Sequence, residues 1–183
     1  TMLAKDAKTG VKNECTQLDA PECEALGLLK MDFLGLKTLT VCSNAIKNAK
    51  ANGGDCPEFD DIPLEDEKAY ELVRSGNTTK VFQIESTGMQ ETCKSVKPKT
   101  LGHLSDILAL YRPGPMQYIS TYVARKDGEE VEYAHPAMEK ITGETYGIMV
   151  YQEQIMQLVQ AIAGLSLAQS DILRRAIGKK KAD

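Results

Sequence analysis

Leu28-Leu29-Lys30-Met31-Asp32-Phe33-Leu34-Gly35 is an apolar run broken by one lysine and one aspartate. An extended backbone sends successive side chains to opposite faces. On that reading Leu29, Met31 and Phe33 point one way, and Lys30 and Asp32 point the other, side by side. A helical pattern begins directly afterwards, with Leu34, Leu36, Leu39, Val41, Cys42, Ala45 and Ile46. The run therefore predicts a strand ending at Asp32, where the chain turns. A carboxylate at such a tip suits two roles. It can offer oxygen ligands to a metal ion while the neighbouring ammonium favours an anionic substrate, or it can simply cap the helix that follows.

Outward from this run the chain is well punctuated. Upstream, Val11–Leu18 reads as a weak strand. Asp19-Ala20-Pro21-Glu22 is a capping box with proline in the first turn, so a short helix follows and stops at Gly27. Downstream, the helix continues to about Lys50 and is ended by Asn52-Gly53-Gly54-Asp55. The loop through Pro57 to Pro63 is the best internal boundary, with a small α+β piece before it and a mostly helical chain after it. Helices are predicted over Asp66–Ser75, Met89–Val96, Thr100–Tyr111, Tyr118–Arg125, Ala137–Thr142, Val150–Ala163 and Leu167–Ile177. Ser166 and Gln169 form a capping box for the last. Val81–Ile84 is a short apolar segment, and Glu129–Tyr133 reads as extended. The fold class is α+β, predominantly α-helical.

Composition narrows the functional classes. The chain has 183 residues, 42% hydrophobic and 26% charged, with a formal net charge of −4. It lacks the global basic field of a nucleic-acid-binding domain, so any such role rests on local clusters. Five cysteines (Cys15, Cys23, Cys42, Cys56, Cys93) are scattered without a Cys-x-x-Cys pair, and there are two histidines, His103 and His135. That pattern argues against zinc and for reduced thiols in a cytoplasmic protein. No apolar run approaches a membrane span, and the start does not resemble a signal peptide. Both ends read as cuts through a longer protein. The absence of Trp disfavours a base-stacking platform.

Positive charge gathers at the end. Arg174 and Arg175 fall on the two flanks of the helix face opposite Ile172, Leu173, Ala176 and Ile177, at about 100° per residue. Lys179, Lys180 and Lys181 extend the cluster. Guanidinium forks match phosphate oxygens, and cations also suit a helix C-terminus. Arg112 precedes Pro113-Gly114-Pro115, a stiff stop that either presents the arginine or merely ends the helix. Gln83, Glu85 and Ser86 form a polar cluster on a turn. His135 reads as a loop histidine, Glu153 with Gln152 and Gln154 as the wet face of a helix, and Met149 and Met156 as core.

Several stretches carry a family resemblance. They are Gly27–Thr40, Val81-Phe-Gln-Ile-Glu-Ser86, Ala109-Leu-Tyr-Arg-Pro-Gly-Pro-Met116, Tyr146-Gly-Ile-Met-Val-Tyr-Gln-Glu-Gln-Ile-Met156 and Asp171-Ile-Leu-Arg-Arg-Ala-Ile-Gly-Lys-Lys-Lys181. Together, in this order and almost end to end, they resemble the alpha subunits of bacterial DNA polymerase III, the C-family replicative polymerases. The resemblance implies that residues 1–52 are the C-terminal part of the palm and residues 53–183 the N-terminal part of the fingers. It implies template-directed addition of dNTPs to a primer 3′ end by two-metal phosphoryl transfer. Asp32 matches the third of the family's three catalytic aspartates around two Mg²⁺ ions, and Lys30 a lysine near the incoming triphosphate. Arg174 and Arg175 match a pair of fingers arginines that approach the same triphosphate. Arg112, Lys179 and Lys180 are placed near the nascent base pair or nucleic acid. The implied partners are primer–template DNA, dNTPs and replisome subunits, including a sliding clamp and a proofreading exonuclease, with no membrane.

One departure is decisive for activity. The family's other two aspartates belong to an upstream Asp-x-Asp motif that has no counterpart here, and Asp60-Asp61 follow Asp32 and cannot replace it. One carboxylate cannot hold two metals, so the fragment alone is expected to be inactive. A different class of reading is a non-catalytic helical DNA-binding module whose basic C-terminal segment contacts phosphates. A free nucleotide hydrolase is disfavoured, since the chain has no Gly-x-x-x-x-Gly-Lys-Ser/Thr loop.

Overall fold

The computed structural model describes residues 1–178. The chain divides into two compact units, Thr1–Cys56 and Pro57–Asp183.

The first unit opens with an antiparallel hairpin, β1 (Met2–Lys5) and β2 (Lys12–Cys15), with Met2 opposite Cys15 and Lys5 opposite Lys12. Asp6 closes its turn, accepting from the Lys8 and Thr9 amides, and those amide bonds hold its carboxyl below the usual range. The capping box then acts as its residues require. The Asp19 side chain accepts from the Glu22 amide, Glu22 accepts from the Asp19 amide, and α1 (Ala20–Ala25) follows. The longer α2 spans Lys37–Ala51. The predicted strand over Leu28–Asp32 is absent: residues 28–36 have no ladder partner. Alternation of side chains is not sufficient for a strand, because each backbone amide and carbonyl also needs a neighbour to bond. In this unit β1 and β2 satisfy one another. The run's apolar side chains are consequently in the open, with Leu29 82%, Phe33 92% and Leu34 93% exposed.

The second unit is a helical cluster with a continuous core. Its elements are α3 (Glu67–Ser75), α4 (Thr87–Val96), α5 (Leu101–Leu110), α6 (Ile119–Lys126), α7 (Pro136–Thr142), α8 (Gln152–Ala163) and α9 (Leu167–Gly178). Side-chain caps start several of them: Asp66 accepts from the Ala69 amide, Thr100 from His103, His135 from Ala137 and Ser166 from Gln169, which in turn accepts from the Ser166 amide. His135 is thus a helix cap rather than a free loop residue. Left-handed Gly76 and Gly164 terminate α3 and α8.

The core joins Val73, Ile84, Met89, Cys93, Val96, Ile107, Leu110, Tyr122 and Ile148. Fully burying each such aliphatic side chain contributes about 1.5–3 kcal/mol. Met149 departs from expectation: it is 53% exposed, and its neighbour Ile148 takes the core position. Of the four apolar residues expected on one face of α9, Leu173 and Ala176 are half-buried, while Ile172 and Ile177 stay exposed. The helix packs on α8 along one flank, so its apolar face is only partly used. Glu129–Tyr133 runs without a ladder partner.

Candidate functional site

In the first unit the structure keeps Lys30 and Asp32 on one side, with the Lys30 Nζ 3.4 Å from each Asp32 oxygen. Both side chains are more than half exposed, 51% and 64%. Such an open pair adds little stability, and Asp32 caps no helix: the residue before α2 is Leu36, with no side-chain cap. Asp32 therefore lies on an irregular exposed segment, not at a strand tip. Among the described residues no group of three or more His, Cys, Asp or Glu is placed to hold a metal. Asp32 can supply carboxylate oxygens to a metal ion, but a lone carboxylate cannot by itself hold two Mg²⁺ ions.

In the second unit the two motifs Val81–Ser86 and Tyr111–Pro115 meet. Gln83, Ser86, Met89, Leu108, Tyr111 and Arg112 line one groove of about 370 Å³. Its polar wall is a tight double turn. Lys80 (φ 64°) and Gln83 (φ 66°) are both left-handed without being glycine, a conformation that non-glycine residues rarely adopt. The fully buried Thr78 holds the turn closed by donating its hydroxyl to the Ile84 carbonyl. The opposite wall is set by Gly88, because a Cβ there would sit 1.8 Å from the Tyr111 hydroxyl. Only glycine lets that ring lie on the start of α4. Arg112 follows α5, is exposed, and its guanidinium has no hydrogen bond or ion pair among the described residues.

Arg174 and Arg175 share one carboxylate. Arg174 donates from Nε and Nη2 to Asp171 Oδ1 at 2.9 and 2.8 Å, and from Nη1 to Gln152 Oε1 on α8 at 2.8 Å. Arg175 Nη2 lies 2.6 Å from Asp171 Oδ2. The hydrogen bond from Arg174, with the charge of Arg175 beside it, holds the Asp171 carboxyl below its ordinary range. Lys179, Lys180 and Lys181 lie outside the described residues.

A buried polar knot escaped the sequence reading. Asp106 is 3% exposed within the apolar helix α5. Its Oδ2 accepts from the Tyr122 hydroxyl and its Oδ1 from the Tyr151 hydroxyl, both at 2.6 Å. His103 Nδ1 accepts from the Lys99 amide, so Nε2 carries the proton toward the Tyr146 hydroxyl at 2.8 Å. Burial holds the His103 pKa down, with the Lys126 ammonium adding to it. Gln154, expected on the wet face, is buried. It accepts from the Val150 and Tyr151 amides and donates to Thr145 Oγ1 and the Ile141 carbonyl.

The knot makes stability pH-dependent. Burial, then the bond to Asp106, pushes the Tyr122 and Tyr151 hydroxyls well above their ordinary range. In the unfolded chain these tyrosines ionise near pH 10, so above that pH the folded state binds more protons than the unfolded one. The contribution is complete below pH 10 and is lost as pH rises, by at most about 1.4 kcal/mol per pH unit per tyrosine. Urea denaturation between pH 8 and 11 is expected to show this fall, flattened in Y122F and Y151F.

The second unit is a helical module that presents exposed guanidiniums at Arg112 and Arg175. The comparisons with known proteins say which one. Residues 38–183 match the family described as bacterial DNA polymerase III alpha subunit finger domain, and the chain belongs to it. The match begins at residue 38, inside α2. Curated relatives named DNA polymerase III subunit alpha agree. That of Neisseria meningitidis is 49% identical over 165 residues, 90% of this chain and 14% of its own length. The Aquifex aeolicus protein is 49% identical over 171 residues, 92% of this chain and 15% of its own. The Thermus aquaticus protein is 50% identical over 174 residues, again 92% of this chain and 14% of its own. The chain thus spans about a seventh of the length of these relatives. No helix among the described residues is long and apolar enough to cross a membrane.

Proposed function

We propose that this chain is the nucleotide-side part of a replicative DNA-directed DNA polymerase. It supplies fingers that meet the triphosphate of an incoming dNTP through Arg174 and Arg175, and a segment of palm, residues 1–52, that carries Lys30 and Asp32. The observation that carries the reading is the arginine cluster on α9, two adjacent guanidiniums in a chain of the polymerase finger family. Phosphoryl transfer asks little covalent help of a protein. It asks for charge held where phosphate oxygens arrive. Arg175 is 61% exposed, so most of its donors are available for such oxygens, and guanidinium forks bind them in pairs.

The groove between Gln83 and Arg112 is assigned to the nascent base pair or template, where a tight turn and an exposed cation meet a nucleotide. The exposed apolar run Leu28–Leu34 is assigned to packing with the rest of the palm, since exposed apolar surface of this kind marks an interaction face. Mg²⁺ belongs to the intact enzyme, with Asp32 as one of its carboxylates. Sliding clamp and exonuclease are partners of the intact subunit.

The test is steady-state dNTP incorporation by a full-length polymerase subunit carrying this segment. R174A and R175A are each expected to lower kcat/KM for nucleotide by about 10²-fold, the effect of removing one charge-assisted contact to a reacting phosphate. Unchanged kinetics in both variants would remove the pair from the triphosphate site.

A further inference from the structure

Asp171 stands three residues before Arg174 and four before Arg175, the spacings at which helix side chains face one another. Its two oxygens are divided between them, one for each guanidinium. Two adjacent arginines left to themselves repel each other and sweep through many rotamers. A single carboxylate between them removes both problems. The same carboxylate also opposes a phosphate group, because it is an anion placed among the donors that phosphate needs. The trio carries one net positive charge where the pair alone would carry two.

We propose that Asp171 is the positioning residue of the arginine pair, a counter-ion that fixes the spacing of the two guanidiniums and that the triphosphate must displace to bind. This rests on the reading of Arg174 and Arg175 given above. The geometry sets the order of release. Arg174 is held at three nitrogens, by Asp171 and by Gln152, and its side chain is 28% exposed. Arg175 has one contact to the carboxylate and is 61% exposed. Arg175 is therefore the donor that swings to phosphate first, and Arg174, steadied from α8, keeps its place. The lowered pKa of Asp171 keeps the counter-ion charged throughout the neutral range.

Removing the charge should move binding and rate in opposite directions. In D171N the guanidiniums lose their competitor, so ground-state affinity rises. They also lose their fixed spacing, so the arrangement needed in the transition state is reached less often.

The experiment is nucleotide incorporation by the full-length polymerase subunit carrying this segment, with D171N, D171E, R174A and R175A side by side. For D171N a fall in the dNTP KM of about threefold is expected, together with a fall in kcat of about tenfold. D171E, which keeps the charge on the same helix face, is expected to return KM toward the parent value. Asp171 is one-third exposed, so the substitutions leave the fold in place, and circular dichroism of each variant checks that. Unchanged KM and kcat in D171N, or a fall in kcat accompanied by a rise in KM, would overturn the proposal. If D171N is silent while R174A and R175A are impaired, the arginine reading stands and the role of Asp171 falls. If R174A and R175A are also silent, the nucleotide reading itself falls.

Discussion

Replacing Asp32 by alanine in a full-length polymerase subunit carrying this segment is expected to lower nucleotide incorporation by about 10³-fold or more, while primer–template affinity changes by less than about twofold. The structure makes this a clean substitution. Asp32 is exposed, caps no helix, and its one side-chain partner among the described residues is the lysine two residues away. Its removal therefore leaves no buried group unpaired and no helix uncapped, and the expected change in stability is within about 0.5 kcal/mol. A large loss of turnover with an unchanged unfolding curve is then a statement about chemistry. The size follows from the reaction. Where a carboxylate holds a catalytic cation, losing it removes several kcal/mol of charge stabilisation, and about 4 kcal/mol is a thousandfold in rate. DNA affinity is a different quantity, set by Lys and Arg against phosphates and by the salt they release. An anion does not add to it. The competing reading, a non-catalytic DNA-binding module, gives the opposite result: Asp32 is indifferent, and removing Lys179–Lys181 weakens binding and flattens its salt dependence. Incorporation rates and a salt series of binding isotherms on the same variants separate the two.

How far the sequence carried the reading depended on the range of the interaction. The start of α1 was legible because everything it needs lies within four residues, from Asp19 to Glu22. The same holds for the end of α3 at Gly76 and the start of α5 at Thr100. Leu28–Asp32 was misread because alternation reports which side chains share a face and says nothing about who will bond the backbone. Gln154 was misread for the same reason in reverse. A glutamine on a helix looks wet until the chain brings two amides and a threonine to it. Of the candidate site, the arginines were legible and their shared carboxylate was in plain view in the Asp171–Arg175 motif, yet periodicity alone does not say that one aspartate will serve both. The convergence of Gln83 with Arg112 depends on how α4 and α5 pack, which no local pattern contains. Asp106 gave one usable signal, an acid set into the apolar pattern Leu104–Leu110. Its partners are 16 and 45 residues away.

That acid supports the second large effect. D106A is expected to destabilise the chain by about 4 kcal/mol in urea denaturation, a large part of the stability of a domain this size. The loss has two components. A hydrogen bond to a charged acceptor contributes about 1.5–3 kcal/mol, and two are removed. In addition, Tyr122 is fully buried, so its hydroxyl is left without a partner, which is costlier than never having had one. The asymmetry supplies the check. In D106A/Y122F/Y151F the stranded hydroxyls are gone, and the triple variant is expected to recover at least about 1 kcal/mol relative to D106A. A knot without energetic weight would show neither the loss nor the recovery. The consequence reaches the arginines through the chain. Asp106 ties α5 to α6 by Tyr122 and to the residue before α8 by Tyr151. The first residue of α8 is Gln152, which receives Arg174. Freeing Tyr151 therefore loosens the support of the guanidinium that is otherwise held most firmly. In a full-length polymerase subunit Y151F is accordingly expected to raise the nucleotide KM by about two- to fivefold at temperatures where the protein remains folded, and R174A, which has already lost that support, is expected to mask the change.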